Sequence, residues 1–252
     1  MNDAPGQSGQ RQTPCGVLVI DKPLGPTSMD ICRRVRWRLV QGGAPKRVKV
    51  GHGGTLDPLA TGVLVVMVGK ATKLCETVMA GTKVYAAGID LSCFSTTDDQ
   101  EGEKTVVDVQ APPTRGAVEV ACARFVGAAV PQTPPAFSAM KIGGQRAYDM
   151  ARRGEEVKLA ARPVRIDRVD VKQYAWPLLT VEVECGKGTY IRSLARDIGV
   201  ALGTGGCLTS LRRTRVGQWG IEQAVQLGAL RDSMDQADLL PVHSTAGGEH
   251  VH

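Results

Sequence analysis

Histidine is scarce in this 252-residue chain: there are four, and His243, His250 and His252 fall in the last ten positions. Only His52 lies in the body, so a protein-held zinc has almost no ligand set to draw on, and no metal is expected. Cysteine does not fill the gap. The seven, at 15, 32, 75, 93, 122, 185 and 207, are odd in number, form no CxxC pair and sit largely in apolar runs. They read as buried reduced thiols rather than a disulfide framework. Long apolar runs are also missing: Val63 to Val68 is six residues, against roughly 20 for a membrane helix. Residues 1–14 are polar and lack the apolar segment of a signal peptide. With 42% hydrophobic and 22% charged residues, a soluble, cytoplasmic globular protein is expected. Familiar nucleotide and hydrolase signatures fail as well. Gly62 to Lys70 has the wrong spacing for a P-loop, Gly51-x-Gly53 is not followed by the third glycine of a dinucleotide fingerprint, and neither HExxH nor GxSxG occurs.

Acid is lacking in two stretches. Arg33 to Lys49 carries seven Lys/Arg and no acid, and Lys187 to Arg215 carries six against one Asp, within a net charge of +6. Such stretches fit a polyanionic partner, and equally a solvated charged face. The acidic residues gather instead at Asp98 to Glu103, where too few oxygens are spaced for an EF-hand; a solvated turn without a chemical role is expected.

Along the chain, 1–14 reads as a flexible tail, 15–230 as one body and 231–252 as a short tail. Cys15 to Ile20 reads as a strand closed by the turn sequence Asp21 to Pro26. Thr27 or Ser28 then caps a helix, with Thr27 and Asp30 at capping-box spacing and Gly42-Gly43 as the stop. Strands are expected over 63–68, 83–94, 163–174, 178–185 and 208–216, and helices over 71–79, 115–126, 147–153, 189–202 and 221–230. The order lacks strict βαβ alternation, so the fold class is α+β.

The loop Gly51-His52-Gly53-Gly54-Thr55-Leu56-Asp57-Pro58 stands out. Its small residues let backbone approach a ligand closely. Pro58 biases Asp57 to extended geometry and so fixes the direction of its side chain. A free Asp, with a pKa near ~3.9, presents a carboxylate at neutral pH and can act as a nucleophile. Asp-Pro is also a common turn former, and the loop alone does not separate the two.

The stretch Gly51 to Leu64 closely resembles the catalytic motif of the TruB-type tRNA pseudouridine synthases. The likeness recurs in order: Lys22-Pro23-Leu24-Gly25-Pro26-Thr27-Ser28, then Lys83-Val84-Tyr85, then Gln132 to Lys141 with Gly144, Arg146, Tyr148 and Gly154, then Gly188-Thr189-Tyr190-Ile191-Arg192, then Leu211-Arg212-Arg213. It covers roughly 15–230. The resemblance implies a pseudouridine-synthase catalytic domain with a central mixed, mostly antiparallel sheet flanked by helices. It implies an isomerase that converts the T-loop uridine of tRNA (position 55) to pseudouridine, as a monomer, with no cofactor and no guide RNA. It assigns Asp57 as nucleophile, Arg192 as the cation beside it and Tyr85 as aromatic wall and proton acceptor. Tyr190, Leu211, His52 and Lys22 become substrate contacts. Two departures stand out: Thr96 sits where the family more usually has Asp, and the chain ends ten residues after Leu239-Leu240-Pro241-Val242, so no C-terminal RNA-binding (PUA-like) domain is expected. A non-catalytic RNA-binding or RNA-folding protein with the same basic cleft is the competing reading.

Overall fold

The computed structural model describes residues 13–242, apart from 139, 156 and 158. Residues 1–12 of the expected N-terminal tail, and 243–252 with their three histidines, lie outside it. Strand β1 (Gly16–Lys22) leads through the turn at 23–26 into helix α1 (Ser28–Gln41). Thr27 is the cap: its hydroxyl accepts from the Asp30 N–H while the Asp30 carboxylate accepts from the Thr27 N–H. That leaves Ser28 free for another task. Ile31, Cys32, Val35 and Leu39 make the buried stripe of α1, and Gly42 ends it.

Next come β2 (Val50–His52) and β3 (Ala60–Val68), an apolar strand buried along most of its length. The helix expected over 71–79 forms in two pieces, a 3-10 turn at Gly69–Leu74 and α2 (Cys75–Ala80). The strand expected over 83–94 also breaks. β4 (Lys83–Asp90) stops where Asp90 Oδ1 accepts from the Ser92 N–H, and β5 (Cys93–Ser95) then pairs with β6 (Lys104–Val106). After α3 (Arg115–Ala123) and β7 (Gly127–Gln132) come a two-stranded hairpin of β8 (Lys141–Ile142) and β9 (Gln145–Arg146), then α4 (Ala147–Arg152). β10 (Arg162–Ala175) and β11 (Leu178–Cys185) pair antiparallel across Trp176-Pro177. They are followed by α5 (Ile191–Leu202), β12 (Cys207–Val216), β13 (Trp219–Gly220) and β14 (Val225–Gln226).

The helix expected over 221–230 does not form. Val225 and Gln226 instead pair in parallel with Ile20 and Asp21, between 3-10 turns at Ile221–Gln223 and Leu227–Ala229. Gly228 weakens any helix there by about 1 kcal/mol, and the open edge of β1 offers backbone partners that a helix would leave unused. Residues beyond 230 fold back the same way: Val17 and Leu240 exchange backbone hydrogen bonds at 2.9 and 2.8 Å.

One sheet dominates, in the order β14-β1-β3-β12-β4-β11-β10-β7, with β2 and β13 attached to its flanks. Only β1–β14 and β3–β12 run parallel, so the sheet is mixed and mostly antiparallel, and the fold is α+β. Alternation along β3 divides its two faces. Leu64, Val66 and Val68 pack with the α1 stripe, whereas Val63, Val65 and Met67 pack with Val78 of α2 on the other face. Ala60, of the same parity as Leu64, joins the cluster formed with Tyr85, Leu211 and the α5 residues Ile191, Leu194 and Ile198. Helix α1 therefore packs on the β1–β3 half of the sheet and α5 on the half with β4, β11 and β12, and the 51–58 loop is bonded to the start of each. No helix among the described residues is long and apolar enough to cross a membrane.

Candidate active site

The loop is held from below and from one side. Sheet register places Arg213 between Gly62 of β3 and Tyr85 of β4. Its guanidinium, 1% exposed, donates from Nε to the Val63 carbonyl (2.8 Å) and from its two Nη atoms to Thr55 (3.3 Å) and Gly54 (3.1 Å). Gly62 has a φ of +100°, and a Cβ there would lie 2.2 Å from the Arg213 carbonyl oxygen. Glycine is the residue that fits. Ser28 grips the residue before Asp57: its Oγ donates to the Leu56 carbonyl (3.1 Å) and accepts from the Leu56 N–H (2.8 Å). Lys22 sits beneath the next residue. It is fully buried, and its Nζ donates to the carbonyls of Pro23 and Pro26, both at 2.9 Å, with that of Pro58 at 3.5 Å. Burial draws the Lys22 amine down to about 8, against the pull of the Asp57 carboxylate.

Asp57 emerges from this support into a cavity of about 1110 Å³, large for a small-molecule pocket. Its Oδ2 lies 2.9 Å from Arg192 Nη2 at the start of α5; the Asp57 side chain is 38% exposed and that of Arg192 only 7%. Arg192 is fixed by three further acceptors: the carbonyls of Thr97 (3.2 Å) and Phe137 (3.0 Å) and the Asp99 carboxylate (3.4 Å). The solvated turn expected at 98–103 is therefore corrected in its first half. Asp99, with a side chain 3% exposed, lines the cavity. Asp98 adopts a left-handed φ of 62° and pairs with Arg196 Nη1 at 2.8 Å, while Arg196 Nη2 also donates to the Thr133 carbonyl. Buried guanidinium groups need such partners, and the acidic loop supplies them. Glu101 and Glu103 stay exposed, as expected.

Tyr85 of β4 and Leu211 of β12, which pairs with Ala87 two residues along, form an apolar part of the cavity wall. Burial pushes the Tyr85 phenol up, with the Arg213 guanidinium acting in the opposite direction. Tyr190 stands before α5, locked by Gln132, whose Nε2 donates to the Tyr190 carbonyl (3.1 Å) and whose Oε1 accepts from its N–H (2.8 Å). The Arg162 guanidinium lies 5.4 Å from the Tyr190 ring centroid. Of the seven residues singled out in the sequence, Asp57, Tyr85, Tyr190, Arg192 and Leu211 meet at the cavity. Lys22 and His52 do not line it. His52 is on β2, paired with Val66, and burial together with Arg213 lowers its pKa. Sequence reading passed over Ser28, Arg213, Gln132 and Asp99. For Arg213 a signal existed: period-two alternation from inward-facing Leu211 puts it on the same face.

A mixed, mostly antiparallel sheet flanked by helices, with a carboxylate loop at its cavity, is the architecture of a pseudouridine synthase. The solved Cbf5–Nop10–Gar1 complex contains a chain with a TM-score of 0.64 at 28% identity, covering 85% of this chain and 53% of that one. An H/ACA RNP bound to a substrate RNA containing 2′-deoxyuridine gives 0.61 at 27% identity, over 85% and 52%. This chain thus spans about half the length of those proteins. Family models assign the rest: residues 43–191 match the TruB family pseudouridylate synthase N-terminal domain and 192–241 the tRNA pseudouridylate synthase B C-terminal domain. The tRNA pseudouridine synthase B of Mycobacterium sp. (strain KMS) is 46% identical over 241 residues, 89% of this chain and 77% of the relative. That of Phocaeicola vulgatus is 43% identical over 226 residues, 88% and 94%. The chain belongs to the TruB family of pseudouridylate synthases.

Proposed function

We propose that this chain converts the T-loop uridine of tRNA, position 55, to pseudouridine, acting as a monomer without cofactor or guide RNA. The observation that carries the reading is the Asp57–Arg192 pair, a cavity carboxylate aimed by a nearly buried guanidinium. Basic residues at the mouth, Lys187 and Arg162 among them, suit RNA phosphate. The relatives' shared name supplies tRNA as the substrate class.

The target base must leave its stack to reach Asp57, at a cost of a few kcal/mol. Asp57 then attacks the sugar or the base as a nucleophile, with Arg192 stabilising its charge and direction. The N1–C1′ bond breaks, the uracil turns, C5 bonds to C1′, and the bond to Asp57 breaks with its carboxylate as the leaving group. The proton on C5 departs and N1 ends protonated, so the product is an isomer. Tyr85 and Leu211 provide the wall against which the freed base turns, with Tyr190 on the other side. Lys22 and His52 serve the loop from behind, Lys22 by fixing the carbonyl of Pro58.

Tyr85 is assigned the C5 proton. Burial raises its pKa, with Arg213 acting in the opposite direction, so the phenol oxygen takes the C5 proton as it passes its own to the N1 that ends protonated. Tyr85→Phe keeps the wall and removes the acceptor. Single-turnover conversion should slow by about 10²–10⁴ with tRNA affinity little changed; a wild-type rate would remove the proton-transfer role. The reading as a whole is tested by adding purified protein alone to an unmodified tRNA transcript. Pseudouridine at position 55 is the expected product. Tight binding without conversion would leave the chain an RNA-binding protein.

A further inference from the structure

The outer face of α1 carries groups that neither the fold nor the cavity uses. Trp37 is 54% exposed, although a tryptophan in a helix with a well-formed buried stripe has no structural need to face water. At 100° per residue, Trp37 points opposite the centre of the stripe made by Ile31, Cys32, Val35 and Leu39. Arg33 and Arg34 lie one turn before it, at i−4 and i−3, and both are exposed, as is Arg36. Asp30 pairs with Arg33 at 2.6 Å, leaving the Arg33 side chain 68% exposed, and the Asp30 charge also acts on Arg34. The loop after the helix adds exposed Lys46, Arg47 and Lys49.

The position of this face gives it meaning. The start of α1 is pinned to the catalytic loop by the Ser28–Leu56 bonds and by the Gly25 N–H, which donates to the Pro58 carbonyl at 2.9 Å. From there the helix runs about 20 Å over the sheet face formed by Leu64, Val66 and Val68. A polyanion with one nucleotide inserted beside Asp57 continues outward past the loop to which the start of α1 is bonded. An aromatic ring set among exposed guanidiniums is the chemistry of a stacking platform on RNA, in which the ring takes a base face and the arginines take phosphates.

We infer that the Trp37 face of α1 is a second RNA-docking surface, binding a nucleotide of the substrate RNA outside the cavity by stacking on Trp37, with Arg34 and Arg36 on the adjoining phosphates. This rests on the proposed RNA substrate, and the test separates the two. Fluorescence of wild-type protein and of Trp37→Phe is titrated with unmodified tRNA. Quenching should be strong in the wild type and greatly reduced in Trp37→Phe, which keeps Trp176 and Trp219 as internal references. Trp37→Ala should raise the Kd by about five- to a hundredfold, leave conversion at saturating RNA unchanged, and leave the salt slope of binding unchanged. Arg34→Ala and Arg36→Ala should each lower that slope by roughly 0.7–0.9. A wild type that makes pseudouridine while Trp37→Ala binds as tightly overturns the docking surface and spares the functional reading. Loss of a dimer on Trp37→Ala, seen by sedimentation, with tRNA affinity unchanged, also overturns it and gives the face to a second copy of this chain. A wild type that neither converts nor binds tRNA sinks the functional reading itself.

Discussion

Asp57→Asn should yield no detectable pseudouridine while tRNA binding stays within about tenfold, roughly 1.4 kcal/mol. The substitution keeps the shape of the side chain and removes the nucleophilic oxygen. The fold should tolerate it. Asp57 is 38% exposed, and Arg192 retains the Asp99 carboxylate and the carbonyls of Thr97 and Phe137 as partners. A covalent step is therefore lost from an otherwise intact cleft. Binding should tighten slightly, because a charge that repels phosphate has gone. Quantifying pseudouridine in a defined transcript, beside filter binding of the same transcript, checks both halves. Conversion at a comparable rate would show that Asp57 is not the nucleophile.

Arg192→Lys should be nearly as damaging, although charge is kept. One guanidinium serves two carboxylates and two carbonyls, a geometry that a single ammonium cannot reproduce. Turnover is expected to fall at least about a hundredfold, or ~2.7 kcal/mol, with the loss in kcat rather than in RNA affinity. Asp99→Asn should act in the same direction, because it leaves the buried guanidinium short of counter-charge. Removing one partner of such a pair costs up to about 3–5 kcal/mol of stability, so urea unfolding should be measured alongside the rate. Glu103→Gln, exposed on the same acidic loop, is the control and should match wild type. If Asp99→Asn also matched wild type in rate and stability, Asp99 would be a bystander to Arg192.

Local patterns carried much of the fold into view. The Thr27–Asp30 capping box, the apolar stripe of α1, the six-residue core of β3 and the amphipathic α5 all formed where expected, because each depends on neighbours within a few residues. The 221–230 segment went the other way. It is apolar at helical spacing, yet its fate was settled by an edge of β1 two hundred residues earlier in the chain.

The candidate site divides along the same line. The ordered motifs were readable in the sequence, and the family resemblance they carry indicated Asp57, Tyr85, Tyr190, Arg192 and Leu211, which line the cavity, together with Lys22 and His52, which do not. What holds those groups in place was not readable. Arg213 reaches back about 150 positions to Val63, Arg192 spans 95 to Thr97, and Ser28 meets Leu56 across 28. Asp99 looked like one more charge in a solvated turn until the fold buried it against Arg192. A buried charge or an orphan carbonyl finds its partner in space rather than in sequence. The sequence determined which groups could do the chemistry, and the tertiary structure alone decided which cations, carbonyls and carboxylates aim them.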